Sequence, residues 1–158
     1  MKYYHWSKKP IRNLEARKYQ QAWYRPNGIW FSVDNSWIDW CSENHHGNSI
    51  SDFAYELTFD ETDILKITEL EDLKITHMRY NTPKGFDWTN IYLEYDGFVI
   101  QNHKKIAEEN EQSIRENEYI NSPRSANAKY SWFYGLDCSC GCIWNIEAIQ
   151  TWRGTPFS

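Results

Sequence analysis

No window of this sequence approaches the ~20 consecutive apolar residues that a membrane-spanning helix requires. The opening Met-Lys-Tyr-Tyr-His-Trp-Ser-Lys-Lys-Pro holds no apolar segment of the signal-peptide kind. The expectation is a soluble, cytoplasmic protein with no membrane partner. Only seven Gly and five Pro occur, and they are scattered, so no linker or internal repeat divides the chain. Signatures of common nucleotide and metal loops are missing too: there is no Walker A loop, Gly-x-Gly-x-x-Gly, His-Glu-x-x-His or EF-hand loop. Of four Cys, three crowd into 138–142, unlike the spaced framework of a secreted disulfide protein.

Aromatic residues are what the chain has in abundance, with nine Trp, eleven Tyr and seven Phe among 158 residues. That content excludes a disordered chain despite a mean hydropathy of −0.80. The length fits one domain, 1–158, with its own core. The net charge of −5 is unevenly spread. Within residues 1–28, Lys2, Lys8, Lys9, Arg12, Arg17, Lys18 and Arg25 face Glu15 alone, a local +6 that leaves −11 for the rest. A basic end on an acidic body attracts phosphate-bearing ligands; the plainer reading is an unevenly charged, solvated surface.

The apolar pattern predicts strands over 2–7, 28–33, 54–59, 64–67 and 98–101, and two more near 130–134 and 141–149. Helices are expected over 13–21, from Asn35-Ser36 through Glu43, from the capping-box spacing Thr68-Glu69-Leu70-Glu71 to Met78, and over 87–94. Residues 102–130 turn polar and read as an insertion or recognition loop, with a helix over 104–116. Strands with few helices and no regular βαβ units give an α+β fold.

Several residues have chemistry to offer. Alternation along the first strand puts His5 on the face opposite Tyr4 and Trp6, where it can donate a hydrogen bond to a ribose hydroxyl. As a satisfied core histidine it would do nothing of the kind. Trp37 and Trp40 are three apart on the expected helix and share a face; they are either core or walls for a flat aromatic ring. Cys138, Cys140 and Cys142 alternate, and with Cys41 and His45-His46 they form a conceivable zinc or thiol site. Zinc sites favour Cys pairs at turns with two to four residues between them, whereas one residue separates each pair here, which leaves small buried hydrophobes as the simpler reading.

Together, His5-Trp6-Ser7, Gly28-Ile29-Trp30-Phe31-Ser32 and Trp37-Ile38-Asp39-Trp40-Cys41 resemble the ADP-ribosyltransferase fold. The branch they resemble is the His-Tyr-Glu one, home of the poly(ADP-ribose) polymerases and related bacterial toxins. Its pattern runs His-Gly-Ser, Gly-Ile-Tyr-Phe-Ala and Ser-x-x-Tyr-Cys. The resemblance implies two small antiparallel sheets with peripheral helices around an NAD cleft. It implies that His5 holds the nicotinamide ribose, that the Trp6 backbone meets the nicotinamide amide, and that Ser7 supports it. Trp30 replaces the branch's Tyr, Ser32 stands at its Ala, Trp37 or Ser36 falls near its small hydroxyl residue, and Trp40 would stack on nicotinamide.

The family's catalytic Glu precedes a late apolar strand, and here that position falls on Cys140. Asp137 is the nearest acid and the expected catalytic one beside His5; Glu147, Glu94 and Asp96 are further candidates. The stretch Trp132–Trp144 is also similar to one in small bacterial and phage proteins, with no function attached. The implied activity is NAD-dependent mono-ADP-ribosyl transfer to a nucleic acid (RNA or single-stranded DNA) or to a protein, as in a toxin kept in check by an antitoxin protein. The alternatives are an inactive nucleotide-binding or interaction protein on the same fold, and a small zinc or thiol protein.

Overall fold

Short runs rich in β-branched and aromatic residues lay down the sheet. The computed structural model describes residues 1–14, 25–117 and 128–156. Strands β1 (Tyr3–Ser7), β2 (Ile29–Val33), β3 (Phe53–Phe59), β4 (Ile64–Ile67) and β7 (Gly97–Ile100) form within a residue or two of the expected runs. So do helices α1 (Ser36–Glu43), α2 (Leu70–Tyr80), α3 (Trp88–Glu94) and α4 (His103–Asn117). Between α2 and α3 lies the small hairpin β5 (Asn81–Thr82) and β6 (Gly85–Phe86). The chain continues through α5 (Ser131–Tyr134), β8 (Cys140–Ile143) and β9 (Ile149–Pro156). The helix expected over 13–21 lies almost wholly outside the described residues.

The fold is mixed α and β, but the expected pair of small antiparallel sheets is replaced by one seven-stranded mixed sheet. Its order is β4-β7-β8-β2-β1-β3-β9, with β4 and β7 parallel and the other pairs antiparallel. The two halves of this sheet are joined weakly. β1 matches β3 along all five of its residues, yet meets β2 only at Tyr3–Val33 and Tyr4–Ser32. At that closed end Asp34 N–H donates to the Lys2 carbonyl and Lys2 N–H donates to Asp34 Oδ1, each at 2.7 Å. Beyond Tyr4 the strands part.

Helices cover one face of the half-sheet β4-β7-β8-β2. Leu73, Ile91, Phe98, Ile106, Phe133 and Trp144 form that core with Cys142. Tyr3, Phe31, Leu57, Phe59 and Val99 build a second cluster on the other face. Burying a side chain of this size is worth about 1.5–3 kcal/mol, so these two clusters hold the sheet against its narrow waist. The first part of the polar stretch belongs to the core packing: His103, Ile106 and Asn110 of α4 are all buried.

Three local expectations are corrected. Residues 131–134 are a helical turn, not a strand, because Tyr130, Phe133 and Tyr134 turn inward at i, i+3, i+4 spacing. The expected strand 141–149 ends at Ile143; Asn145 caps a 3-10 turn, and the chain restarts as β9. The capping box of α2 is shifted by one residue. Glu69 is the N-cap, and Asp72 Oδ2 accepts from the Thr68 N–H at 2.9 Å and the Glu69 N–H at 3.2 Å.

Candidate functional site

The parting of β1 from β2 exposes backbone groups that the ladder would otherwise satisfy, and side chains take them over. The Trp30 carbonyl accepts from His5 Nδ1 at 2.6 Å. Trp6 Nε1 donates to Ser32 Oγ at 3.0 Å across the same gap. A carbonyl can only accept, so Nδ1 carries the proton and Nε2 is the basic nitrogen. Burial holds the His5 ring below the ordinary 6.5, so near neutral pH it is uncharged. A hydroxyl meeting Nε2 would be the donor, the reverse of the direction expected from the sequence. Trp152 of β9, 5.5 Å from the His5 ring and stacked on Tyr55 at 4.7 Å, backs the imidazole. Nothing in the sequence around Trp152 announces that contact.

A cleft of about 280 Å³ opens at this gap. His5, Trp6, Trp30 and Ser32 form its floor, Trp37 of α1 forms one wall, and Leu136, Asp137 and Cys138 form another. Of the eight residues that the family resemblance assigns to an NAD site, six, His5, Trp6, Trp30, Ser32, Trp37 and Asp137, thus share one cavity. The Asp137 wall is fixed by Ser139. Its carbonyl accepts from Val33 N–H at 3.0 Å and from Ser36 Oγ at 2.7 Å, while its hydroxyl accepts from His103 N–H at 3.0 Å. One residue therefore ties β2, α1 and α4 to the segment carrying the acid.

The other two residues lie elsewhere. Ser7 caps its own turn, donating to the Lys9 carbonyl at 2.7 Å. Trp40 lies outside the cleft lining, and both its faces are met by rings: Trp37 at 5.4 Å and 9°, His46 at 5.3 Å and 4°. The indole that reaches the cleft is Trp37, with Trp40 stacked behind it. Glu94, Asp96 and Glu147 line a different cavity of about 500 Å³, at the far end of β8. Asp137 is the acid among the described residues of the first cleft.

In the sequence Arg25 is one charge of the basic N-terminal end; in the structure it lines the cleft, with its guanidinium 4.6 Å above the Trp30 ring. The spacing Arg-x-x-x-x-Trp around a Pro-Asn-Gly turn is the one hint the sequence offers. Cys138 and Cys140 also line the cleft as free thiols. Burial pushes Cys138 up to about 11 and Cys140 higher still, so neither is a thiolate nucleophile near neutrality. Among the described residues no group of three or more His, Cys, Asp or Glu is arranged to hold a metal ion, and no helix is long and apolar enough to cross a membrane.

Compared with known proteins, the chain matches no family model, no curated protein and no solved structure.

Proposed function

We propose that the chain binds NAD at the parted strands and transfers a single ADP-ribose to an acceptor, as a mono-ADP-ribosyltransferase. The observation that carries this reading is the gathering of His5, Trp6, Trp30, Ser32, Trp37 and Asp137 in one cleft, from three segments distant in sequence. Rings and hydrogen-bonding groups of these types suit a nicotinamide riboside. Trp30 and Trp37 offer indole surface to the flat leaving group, and neutral His5 offers Nε2 to a ribose hydroxyl.

In the reaction the glycosidic bond breaks and its electron pair leaves with nicotinamide. The ribose gains oxocarbenium character, which the Asp137 carboxylate stabilises. The acceptor's nucleophile bonds to the anomeric carbon and releases its proton to Asp137 or water. Holding both partners in one cavity supplies the orientation. A single-stranded nucleic acid is the acceptor we favour, since the half-buried Trp37 indole in the cleft wall and the exposed His46 imidazole suit base stacking.

A second reading, an inactive nucleotide-binding protein on the same scaffold, is favoured by Cys140. It occupies the position where the resembled branch carries its Glu, and its thiol cannot replace a carboxylate. Incubation with labelled NAD, alone and with RNA, single-stranded DNA or protein lysate, separates the two. Nicotinamide release and label transfer that vanish in His5→Ala support the transferase. Binding without release supports the second reading, and absence of NAD binding sinks both.

A further inference from the structure

The cleft is bipolar: of its described lining residues only Arg25 and Asp137 bear full charges. No ion pair joins either of them to another described residue, so the two opposite charges stay apart within one cavity. Arg25 is held in place although it is exposed. The next residue, Pro26, is fully buried, and its carbonyl accepts from Trp30 Nε1 at 3.2 Å. That bond closes the turn and keeps the guanidinium 4.6 Å over the same indole. A guanidinium stacked on a ring spends its face on the aromatic and keeps its in-plane N–H fork for an anion, with bidentate geometry suited to phosphate.

The cavity, about 280 Å³, lies at the bottom of the range for small-molecule sites, roughly 300–1,000 Å³. It has room for a base and a sugar, and the rest of a dinucleotide must leave through the mouth. From these observations we infer that Arg25, stacked on Trp30, is a diphosphate-binding residue that selects phosphate-bearing nucleotides over nucleosides at this cleft. The inference deepens the NAD reading and rests on it for the nicotinamide half only. The Arg25 subsite recognises a diphosphate whatever base it carries.

The test is titration of the purified full chain with NAD, nicotinamide riboside, ADP and inorganic pyrophosphate, in wild type, Arg25→Ala and Arg25→Lys. Circular dichroism and melting curves verify that each variant is folded. The expected result is a preference for NAD over nicotinamide riboside that falls roughly 10- to 100-fold in Arg25→Ala, with Arg25→Lys recovering only part of it. An unchanged preference in the folded Ala variant overturns the inference. Arg25-dependent binding of ADP or pyrophosphate with no gain for NAD keeps the subsite and removes the NAD reading. If no phosphate-bearing ligand binds, both fall.

Discussion

Two substitutions at one residue separate what His5 does for the fold from what it does for a ligand. Asparagine places its amide nitrogen near the position of imidazole Nδ1, so His5→Asn retains a donor for the Trp30 carbonyl and removes Nε2. Alanine removes both. The Trp30 carbonyl accepts from His5 at 2.6 Å where the strands have parted, and Trp152 backs the ring. Leaving a half-buried acceptor unpaired costs about 1–3 kcal/mol, to which the lost ring packing adds. We therefore expect His5→Ala to lose about 2 kcal/mol of stability and His5→Asn less than about 1 kcal/mol. For a chain of this size, 1 kcal/mol corresponds to about 2–4 °C in Tm, so the Ala variant should melt about 6 °C lower. Scanning calorimetry reads the stability and NAD titration reads the binding. His5→Asn should be nearly as stable as wild type and yet bind NAD poorly. Equal destabilisation in the two variants, or full NAD binding by His5→Asn, would refute the assignment of the two ring nitrogens.

Acid should weaken the protein through its histidines. Burial holds His5, His77 and His103 below the ordinary 6.5. The unfolded chain therefore takes up protons that the folded one refuses, and this stability is complete above about pH 6.5 and lost as pH falls toward the folded values. Urea midpoints should be level between about pH 7 and 8 and decline below about pH 6.5; a midpoint that rises on acidification contradicts this. Cys41, Cys138, Cys140 and Cys142 are all held above their ordinary thiol range by burial. A disulfide reagent near pH 8 should label them slowly in the native protein and promptly in guanidinium, whereas fast native labelling of Cys138 or Cys140 would show an open thiol. Gly141→Ala would press a methyl into the Phe98 carbonyl and leave it 2.9 Å from Phe31 Cε2. The strand lies between β2 and β7 and cannot move aside, so about 2–3 kcal/mol should be lost; a neutral effect by denaturant melt would contradict the β8 register.

The sheet was readable where burial is one-sided and alternation is clean, as in 54–59, or where a run is wholly apolar, as in 28–33. Residues 130–134 read as a strand because five residues rich in Tyr, Trp and Phe have strand propensity. Their inward spacing is decided by partners far along the chain, such as Phe86, stacked on Trp132 at 4.0 Å. β9 is hidden in the sequence because Gly154 and Pro156 argue against a strand. It is an edge strand, where Pro is tolerated, and Tyr55 of β3, the register partner of Gly154, lays its ring over the glycine. Within the cleft, His5 is legible from strand alternation, and Trp30 and Asp137 only through the family resemblance. The roles of Trp152, Ser139 and Arg25 are not, since each depends on a neighbour brought in by the sheet order. The swap of Trp37 for Trp40 at the wall has the same origin: helix spacing gives the shared face, but only the fold says which ring lies in front.

Nicotinamide release, followed by chromatography when the full chain is incubated with NAD and single-stranded RNA, tests the central claim most directly. The expected result is release by the wild-type protein, loss of release in Asp137→Asn and in His5→Asn, and an ADP-ribose mass added to the acceptor. Intact NAD after prolonged incubation with a folded wild-type chain would contradict it.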